Sequence, residues 1–364
     1  MYPKQLLGRS GRLVAVGLLV AALLLALSAC SSPQTTFDPK SDAADKIQTL
    51  YILIIVISGA IGAAVLIAMG YLMAKFRERP GVKARQIHGN NTLEVLWTIG
   101  PILILVMIGV PTILAIVGAT RAPSEDALHV EVVAHQWWWE VNYPGLGPDG
   151  GTLTTANELH VPIGREVAIS LKSDDVIHSF WVPQLIGKID SIPGRTNHLE
   201  PFTASEVGVY LGQCAEFCGL AHALMRFRVV VDSLGDFERW VEGMNTPPPA
   251  PEEESFLASG QSVFIQNCSS CHAVAGTVAA GRIGPDLSRF GSRLTIGAGI
   301  MDNTEENLVE WITNVTAVKP VPEGLPTALA ELGNGKQAMP RFDDTLTPAQ
   351  VEAVAAYLRS MTIE

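Results

Sequence analysis

Two long uncharged stretches dominate the first third of the chain. No charged residue occurs from position 47 to 74 or from position 95 to 120. Each stretch is longer than the roughly 20 residues that cross the hydrocarbon core of a bilayer. The pattern therefore predicts two membrane-spanning helices, at about 48–74 and 95–119, in an N-terminal segment that runs from 30 to 120.

The loop between these two stretches is basic. Residues 75–85 include five Lys or Arg and one Glu. Because positively charged loops stay on the cytoplasmic side, we expect everything after residue 121 to lie on the outer face of the membrane. Pro101 and Pro111 fall inside the second stretch, where neighbouring helices can supply partners for the freed backbone groups. These prolines indicate packing against a larger membrane partner.

The N-terminus has the pattern of a bacterial secretion signal. Three basic residues precede an apolar run that ends at Leu27-Ser-Ala-Cys30. This ending resembles that of a lipoprotein, whose signal peptide is cut before a cysteine that then carries lipid. We predict a signal peptide over 1–29 and lipidation of Cys30, and the alternative is an uncleaved first membrane span. Both interpretations leave the later domains outside.

Alternating apolar and polar positions mark the next part of the chain as β structure. Residues 128–133 and 167–171 alternate, and turns rich in Gly and Pro separate these stretches. Such spacing is typical of short strands that bury one face. We predict a β-sandwich or barrel over 121–244, followed by an extended linker at 245–254, where prolines and glutamates resist collapse.

The last part of the chain, 255–364, is predicted to be a small all-α domain. Thr347-Pro-Ala-Gln350 supplies an N-cap, a first-turn proline and a capping-box glutamine for the final helix. The apolar positions that follow at helical spacing form one face, namely Val351, Val354, Ala355 and Leu358. The predicted architecture is therefore multi-domain: a two-helix transmembrane hairpin, a β-domain and a helical domain.

Charge excludes one class of function. The chain has 25 basic and 36 acidic residues and a net charge of −11. Nucleic-acid binding needs a basic surface, so we expect no nucleic-acid partner. The sequence also contains no phosphate-binding loop and no dinucleotide fingerprint. An acidic outer domain is compatible with export and with a basic protein partner.

The most informative chemical motif runs from Cys214 to Met225. Its spacing, C-x3-C-x3-H-x2-M, allows one turning loop to bring two thiolates, an imidazole and a thioether to one point. These groups suit soft, redox-active copper, and a mononuclear blue-copper site needs only one of the two cysteines. Two cysteines can instead bridge two copper ions. Such a pair needs a second histidine, and His178 lies upstream at the end of a plausible strand.

Two simpler interpretations of the cysteines remain open at this point. Zinc suits Cys and His but does not explain Met225. Disulfides within the pairs Cys214–Cys218 and Cys268–Cys271 would leave the neighbouring histidines and methionine without a role.

A second redox motif lies downstream. Cys268-Ser-Ser-Cys271-His272 has the spacing of covalent c-type haem attachment, with two thioethers and an axial histidine. The other axial ligand is expected to be a methionine, and Met301 and Met339 are the candidates. Methionine ligation raises the haem potential and favours electron transfer.

Together these features resemble a known family. The hairpin, the run His135-Gln-Trp-Trp-Trp139, the His178 segment and the loop 214–225 are similar to cytochrome c oxidase subunit II over roughly residues 45–240. Residues 255–364 resemble the cytochrome c domain that is fused to this subunit in some bacteria. The resemblance implies a cupredoxin fold around the binuclear copper centre CuA, and a class I cytochrome c fold around haem c.

The resemblance also implies which residues bind the cofactors. The implied copper ligands are His178, Cys214, the backbone carbonyl of Glu216, Cys218, His222 and Met225. The Glu216 carboxylate would also reach a magnesium ion shared with subunit I. For the haem iron the resemblance implies Met339 beside His272, because Met339 lies in the loop before the final helix, as in small class I cytochromes c.

Further positions gain a role from the resemblance. Trp137 resembles the residue through which electrons reach CuA, although an aromatic cluster in a β-domain is commonly core. Glu94 resembles the carboxylate at the mouth of a proton path, although a glutamate at a helix end also faces water. Asp190 and Arg195 resemble the segment beside the magnesium and the haem propionates of subunit I, and their alternative is a surface turn.

The implied function is that of subunit II in a bacterial haem–copper terminal oxidase of the plasma membrane. Electrons would pass from cytochrome c or another external donor to haem c and CuA, and then to subunit I, where oxygen is reduced and protons are translocated. Subunit III and membrane lipid are further implied partners, and Asp174 and Asp175 are candidate docking acids. The alternatives are the CuA subunit of a nitric oxide reductase and a non-catalytic electron-transfer lipoprotein.

Overall fold

The computed structural model describes residues 32–78, 80–81, 88–319 and 339–363, together with the single residue Gly17. Cys30 and, apart from Gly17, the predicted signal peptide lie outside the described residues. Two long helices, a β-domain and a small helical domain follow one another in the predicted order, which confirms the predicted architecture.

The two predicted spans are long helices, α1 (Asp42–Lys75) and α2 (Asn91–Ala119). Each begins earlier than predicted because a side chain caps it: Ser41 accepts from the amide of Ala44, and Asn90 accepts from two amides of its first turn. Most of their apolar side chains are exposed in the isolated chain. Surfaces of this length and composition need a hydrocarbon environment or a membrane partner to cover them.

The start of α1 is anchored to the β-domain. Ala43 and Ala44 are buried, and the Ser41 hydroxyl donates to the carbonyl of Leu185. Lys46 forms an ion pair of 2.9 Å with Glu200. These contacts fix the β-domain directly above the first helix.

The β-domain is a sandwich of two sheets. Its strands are β1 (Leu128–His135), β2 (Trp138–Pro144), β3 (Thr152–Ala156), β4 (Glu158–Pro162), β5 (Glu166–Ser173), β6 (His178–Val182), β7 (Ile186–Ser191), β8 (Asn197–His198), β9 (Phe202–Thr203), β10 (Gly208–Cys214) and β11 (Arg226–Asp232). One sheet has the order β3-β2-β1-β5-β8, with β9 also paired to β5, and the other has the order β4-β11-β10-β6-β7. The pairs β1–β5 and β4–β11 are parallel.

The alternation noted in the sequence directs side chains into the space between the sheets. Aromatic residues from three strands meet there: Trp139 makes edge contacts with Phe180 at 5.5 Å and with Phe227 at 5.3 Å between ring centroids. Gly212 on β10 leaves room for Phe227, because a Cβ at 212 would lie 2.2 Å from that ring. The core therefore lies directly beneath the end of β10.

Helix α3 (Leu234–Asn245) follows β11 and packs on the β-domain. Phe237 is buried, and Trp240 stacks on His160 with 4.4 Å between ring centroids. His160 also contacts Asp232 at 2.8 Å. The helix thus carries the chain from the sandwich towards the last domain.

The C-terminal domain consists of small helices around a cavity. Its elements are α4 (Phe256–Asn267), β12 (Thr295–Ile296), β13 (Met301–Asp302), α5 (Glu305–Thr313), α6 (Val315–Val318) and α7 (Pro348–Ser360). Thr347 and Gln350 form the predicted capping box at α7. Gly260 permits close contact of α4 and α7, because a Cβ there would lie 2.0 Å from the carbonyl oxygen of Ala353.

The two outer domains are also in direct contact. The buried Glu158 on β4 accepts hydrogen bonds from the amides of Leu294 and Thr295, at 2.7 and 3.1 Å. The amide of Arg226 donates to the carbonyl of Ala298 at 2.9 Å. The β-domain therefore holds the helical domain through β4 and β11, in addition to the covalent linker.

Arg289 adds a third point of contact at the end of α3. Its guanidinium donates to the carbonyls of Gly243, at 2.9 Å, and Thr362, at 2.8 Å. Gly243 itself packs against Ile363, since a Cβ at 243 would lie 2.2 Å from that side chain. The C-terminal residues and α3 thus lie against one another.

Candidate functional site

The loop from Cys214 to Met225 is closed at its base. Cys214 is the last residue of β10 and Met225 directly precedes β11, and the amide of Cys214 donates to the carbonyl of Met225 at 2.9 Å. This hydrogen bond continues the β10–β11 ladder, so both ends of the loop lie side by side. Cys218 and His222 then turn back towards the base, and His222 begins a short 3-10 helix.

Six donor groups converge in this loop. Their contacts are Cys214 Sγ to Cys218 Sγ at 3.7 Å, Cys214 Sγ to His178 Nδ1 at 3.9 Å, Cys218 Sγ to His222 Nδ1 at 3.6 Å, Cys218 Sγ to Met225 Sδ at 3.9 Å, and Cys214 Sγ to the carbonyl oxygen of Glu216 at 3.2 Å. Cys214, Cys218 and Met225 are buried. The cysteines are free thiols, since a disulfide would bring the sulfurs to about 2 Å.

His178 is oriented by a carboxylate. It is the first residue of β6, its side chain is fully buried, and its Nε2 lies 2.9 Å from Oδ1 of Asp175. The carboxylate accepts a hydrogen bond from Nε2–H, which leaves the Nδ1 lone pair directed at Cys214. Metal-binding histidines are commonly fixed in one tautomer by this type of contact.

The two thiols are electrostatically coupled. Hydrogen bonding to Cys218 lowers the pKa of Cys214, and the same contact together with burial raises the pKa of Cys218. The reason is that two buried thiolates at 3.7 Å repel one another. Both can be ionised together only when cations lie between them. The pair is therefore suited to bridging metal ions, and the thioether of Met225 favours copper over zinc.

A cavity of about 340 Å³ lies in the C-terminal domain. Cys268, Cys271, His272 and Met339 all line it. Its remaining walls come from apolar residues of α4, α5 and α7 and, on one side, from the β-domain. Met301 and Met339 both pack against the domain core, but Met301 is not among the described residues that line the cavity.

His272 is held in one orientation inside this cavity. Its Nδ1 lies 2.8 Å from the carbonyl oxygen of Pro285, so Nδ1 carries a proton and Nε2 keeps its lone pair. Burial lowers the pKa of His272, which keeps the imidazole neutral. Gly284 packs so closely against the ring that no side chain fits at this position: a Cβ there would lie 2.5 Å from Cε1 of His272.

Trp137 connects the cavity to the cysteine loop. Trp137 lines the cavity, and its Nε1 donates to the carbonyl of Cys218 at 2.9 Å. The side-chain amide of Gln136 donates to the same carbonyl at 2.7 Å. Trp137 is 7% exposed. Trp137 therefore belongs both to the lining of the cavity and to the surroundings of the cysteine loop.

Comparison with known proteins identifies the family. Family models match the chain as the cytochrome c oxidase subunit II transmembrane domain over 30–114, the subunit II periplasmic domain over 149–234 and cytochrome c over 257–362. Cytochrome c oxidase subunit 2 of Alkalihalophilus pseudofirmus is 36% identical over 351 residues, which cover 94% of this chain and 95% of that protein. The chain belongs to the cytochrome c oxidase subunit II family.

Two further relatives were compared with this subunit II chain. Cytochrome c oxidase subunit 2 of Bacillus sp. strain PS3 is 33% identical over 365 residues, which cover 95% of this chain and 97% of that protein. The solved periplasmic domain of subunit II of cytochrome oxidase from Bradyrhizobium japonicum is 33% identical, with a TM-score of 0.31, and covers 34% of this chain and 95% of that one.

Family membership settles the broader predictions. The chain is a component of a haem–copper oxidoreductase and associates with subunit I, and its domains imply copper and haem c. Two apolar helices and a matching transmembrane domain indicate a membrane protein with a periplasmic, cupredoxin-like domain and a helical cytochrome c domain. Membership therefore favours the oxidase over a nitric oxide reductase or a non-catalytic lipoprotein.

The remaining predicted positions lie in varied surroundings. Glu94 is exposed in the first turn of α2, and the Glu216 residue is exposed on the cysteine loop. Asp190 lies on β7, where its carbonyl accepts from the side chain of Asn197 at 2.7 Å, and Arg195 is exposed. The side chains of these four residues therefore lie outside the converging donor groups, to which Glu216 contributes its backbone carbonyl.

The sequence analysis assigns one residue of the site, Asp175, to the wrong role and does not predict another, Lys319. Asp175 was expected as a surface docking acid, but its side chain is 6% exposed and its carboxylate binds His178 and the amide of Gln136. An Asp three residues before a candidate ligand histidine was the available signal. Lys319 was not singled out, because no local pattern places a residue of the cytochrome c domain beside Trp137.

Proposed function

We propose that this chain carries electrons singly from haem c in its C-terminal domain, through CuA in its periplasmic domain, to subunit I. The haem would be held by Cys268, Cys271, His272 and Met339. When bound, haem c and CuA each take up and release one electron, and no substrate bond is made or broken in this chain. The chain's own task is to hold both groups at a fixed separation and to exclude water from the path between them.

The observation that carries this proposal is the position of Trp137. Trp137 lines the cavity that contains the CXXCH motif, and its indole N–H donates to the backbone carbonyl of Cys218. The contacts of Glu158 and Arg226 fix the two domains around this point. Because the domains are docked, electron transfer needs no search by a mobile tether.

The ligands proposed for CuA are His178, Cys214, the carbonyl of Glu216, Cys218, His222 and Met225. Support comes from their convergence within contact distance and from the coupled ionisation of the two thiols. The proton on Nε2 of His178 leaves Nδ1 as the donor, as copper binding requires. Two thiolates, two imidazoles, a thioether and a carbonyl suit a pair of soft copper ions better than one zinc ion.

Finer features of the complex are part of the same proposal. Glu94 would lie at the mouth of a proton path that subunit I uses for translocation. The exposed Glu216 carboxylate, with Asp190 and Arg195 nearby, would hold a magnesium ion at the boundary with subunit I. Subunit III would complete the complex in the bacterial plasma membrane, an external cytochrome c or similar donor would reduce haem c, and Cys30 would carry lipid.

A pair of reciprocal substitutions in the full-length chain tests the proposal. Cys214→Ser should abolish the near-infrared absorption of CuA and lower the copper content, while the haem spectrum stays intact. Cys271→Ser should leave the copper content unchanged and shift the haem spectrum towards that of a single thioether. Retention of the CuA absorption by Cys214→Ser would reject the ligand assignment.

A further inference from the structure

Lys319 of the cytochrome c domain is a buried cation beside the copper loop. It follows α6 directly and is 8% exposed. Its ammonium donates to the backbone carbonyl of Trp137 and, at 3.3 Å, to the carbonyl of Gly297. Lys319 therefore joins a carbonyl of the CuA domain to a carbonyl of its own domain.

Burying an ammonium group is unfavourable unless its protons find acceptors. Burial lowers the pKa of Lys319 to about 7. Within the described part of the chain, no carboxylate forms an ion pair with Lys319. Its acceptors there are two backbone carbonyls. A methionine of similar length would fill the same space without the free-energy cost of burying a charge. The lysine therefore has to be explained by what it binds.

Trp137 is held on both sides. Its indole N–H binds the carbonyl of Cys218, and its own carbonyl accepts from Lys319. Gly219 lies against the ring, since a Cβ at 219 would come within 3.0 Å of it. Of these contacts, only the hydrogen bond from Lys319 comes from the cytochrome c domain. Among the described residues, no other hydrogen bond joins Trp137 to that domain.

Gly297 gives Lys319 its second acceptor. It has a φ of +65°, and a Cβ there would lie 2.8 Å from the ring of Trp311. The strand β12 that precedes it is fixed to Glu158 through Thr295. Both carbonyls that receive the ammonium therefore belong to well-fixed backbone, and the lysine links them across the domain boundary.

We propose that Lys319 is a positioning residue for electron transfer: it fixes the Trp137 backbone to the haem domain and so holds the indole between the haem cavity and Cys218. The proposal rests on the proposed function, because it assumes transfer from haem c to CuA. It adds a residue of the cytochrome c domain whose contacts set the geometry of the path. If the indole moves away from this position, the gap that the electron crosses widens and the rate of transfer falls.

The test uses the purified oxidase complex at about pH 6, below the lowered pKa of Lys319. One electron is injected photochemically into haem c, and the rate of CuA reduction is followed by near-infrared absorption. Lys319→Met keeps the length of the side chain and removes the donor, whereas Lys319→Arg keeps a cationic donor. Arg239→Met, on the exposed face of α3, removes one positive charge as the control. Hydrogen–deuterium exchange around Trp137 and Gly297 gives a readout independent of transfer.

Lys319→Met should slow transfer several-fold and increase exchange in both segments, with CuA and haem spectra unchanged. Lys319→Arg should recover at least part of the rate, and Arg239→Met should match the unsubstituted complex. Transfer in Lys319→Met at the original rate, or equal slowing by Met and Arg, would overturn the proposal. Absence of haem-to-CuA transfer in the unsubstituted complex would instead refute the proposed function, so the two failures are distinguishable.

Discussion

Replacing Gly284 by alanine should disturb His272 without altering either haem-attaching cysteine. The new Cβ would lie 2.5 Å from Cε1 of His272, whereas ordinary contact begins at 3.4 Å. The imidazole must therefore move by roughly 0.9 Å, the difference between these distances. Such a shift would stretch the 2.8 Å contact between Nδ1 and the carbonyl of Pro285 beyond hydrogen-bonding range.

The magnitude follows from these two effects. Forcing extra volume into a packed site costs about 1–3 kcal/mol, and the lost hydrogen bond adds about 1 kcal/mol. The cytochrome c domain should therefore lose about 2–4 kcal/mol of stability. For a domain of this size that loss lowers the melting temperature by roughly 10–20 °C. The reduction potential should also change, because Pro285 no longer orients the ring.

The assay is thermal unfolding of the full-length chain, followed by haem absorbance, together with a redox titration of the haem. Gly235→Ala in the first turn of α3 is the matched control, because the nearest atom to its Cβ is a flexible guanidinium nitrogen of Arg239 at 3.7 Å. That variant should melt no earlier than the unsubstituted chain. If Gly284→Ala melts at the same temperature as the unsubstituted chain and has the same haem reduction potential, Gly284 and Pro285 do not confine the His272 ring.

Three further outcomes are expected. Gly212→Ala should lower the stability of the CuA domain by about 1–3 kcal/mol, measured by denaturant unfolding, because its Cβ would lie 2.2 Å from Phe227; unchanged stability would contradict the packing. Asp175→Ala should weaken copper binding by about 10–100-fold in a competitive titration, because His178 loses its orienting carboxylate; unaltered affinity would contradict that role. Burial raises the pKa of Glu158 above 4.5, so its stabilising contribution is present below about pH 4.5 and is lost as the pH rises through the raised value. The melting temperature relative to Glu158→Gln should therefore fall as the pH rises from about 4.5 through the raised pKa, and a constant difference would contradict the assignment.

Local signals in the sequence were sufficient to predict five of the elements. The uncharged stretches became α1 and α2, and the alternation at 128–133 and 167–171 became β1 and β5. The capping box at Thr347 formed as expected. Each of these depends on residues close together in the chain. The order of the domains followed from the order of these patterns.

The candidate site was also visible in part. The segment from Cys214 to Met225 forms a closed loop, because Cys214 ends β10, Met225 directly precedes β11 and these two strands pair. His178 was located from chemistry alone, and β6 begins at this residue rather than ending there. The sequence could not show how Asp175 points, since its contacts depend on the fold of the β1–β2 turn.

The contact between the outer domains could not be predicted. Glu158 binds residues 136 and 137 positions away in the chain, and Lys319 binds a carbonyl 182 positions away. No periodicity or spacing encodes such pairs, because they arise only when two separately folded domains meet. A linker rich in proline indicated a tether, whereas the buried contacts indicate a docked domain.

The most direct test of the account is electron-spin resonance of the full-length chain after copper loading and haem maturation. The account predicts the hyperfine pattern of one unpaired electron shared equally by two copper nuclei, alongside the spectrum of a c-type haem with histidine and methionine ligands. A pattern from a single copper nucleus, or zinc bound in place of copper, would contradict the assignment of CuA to this chain.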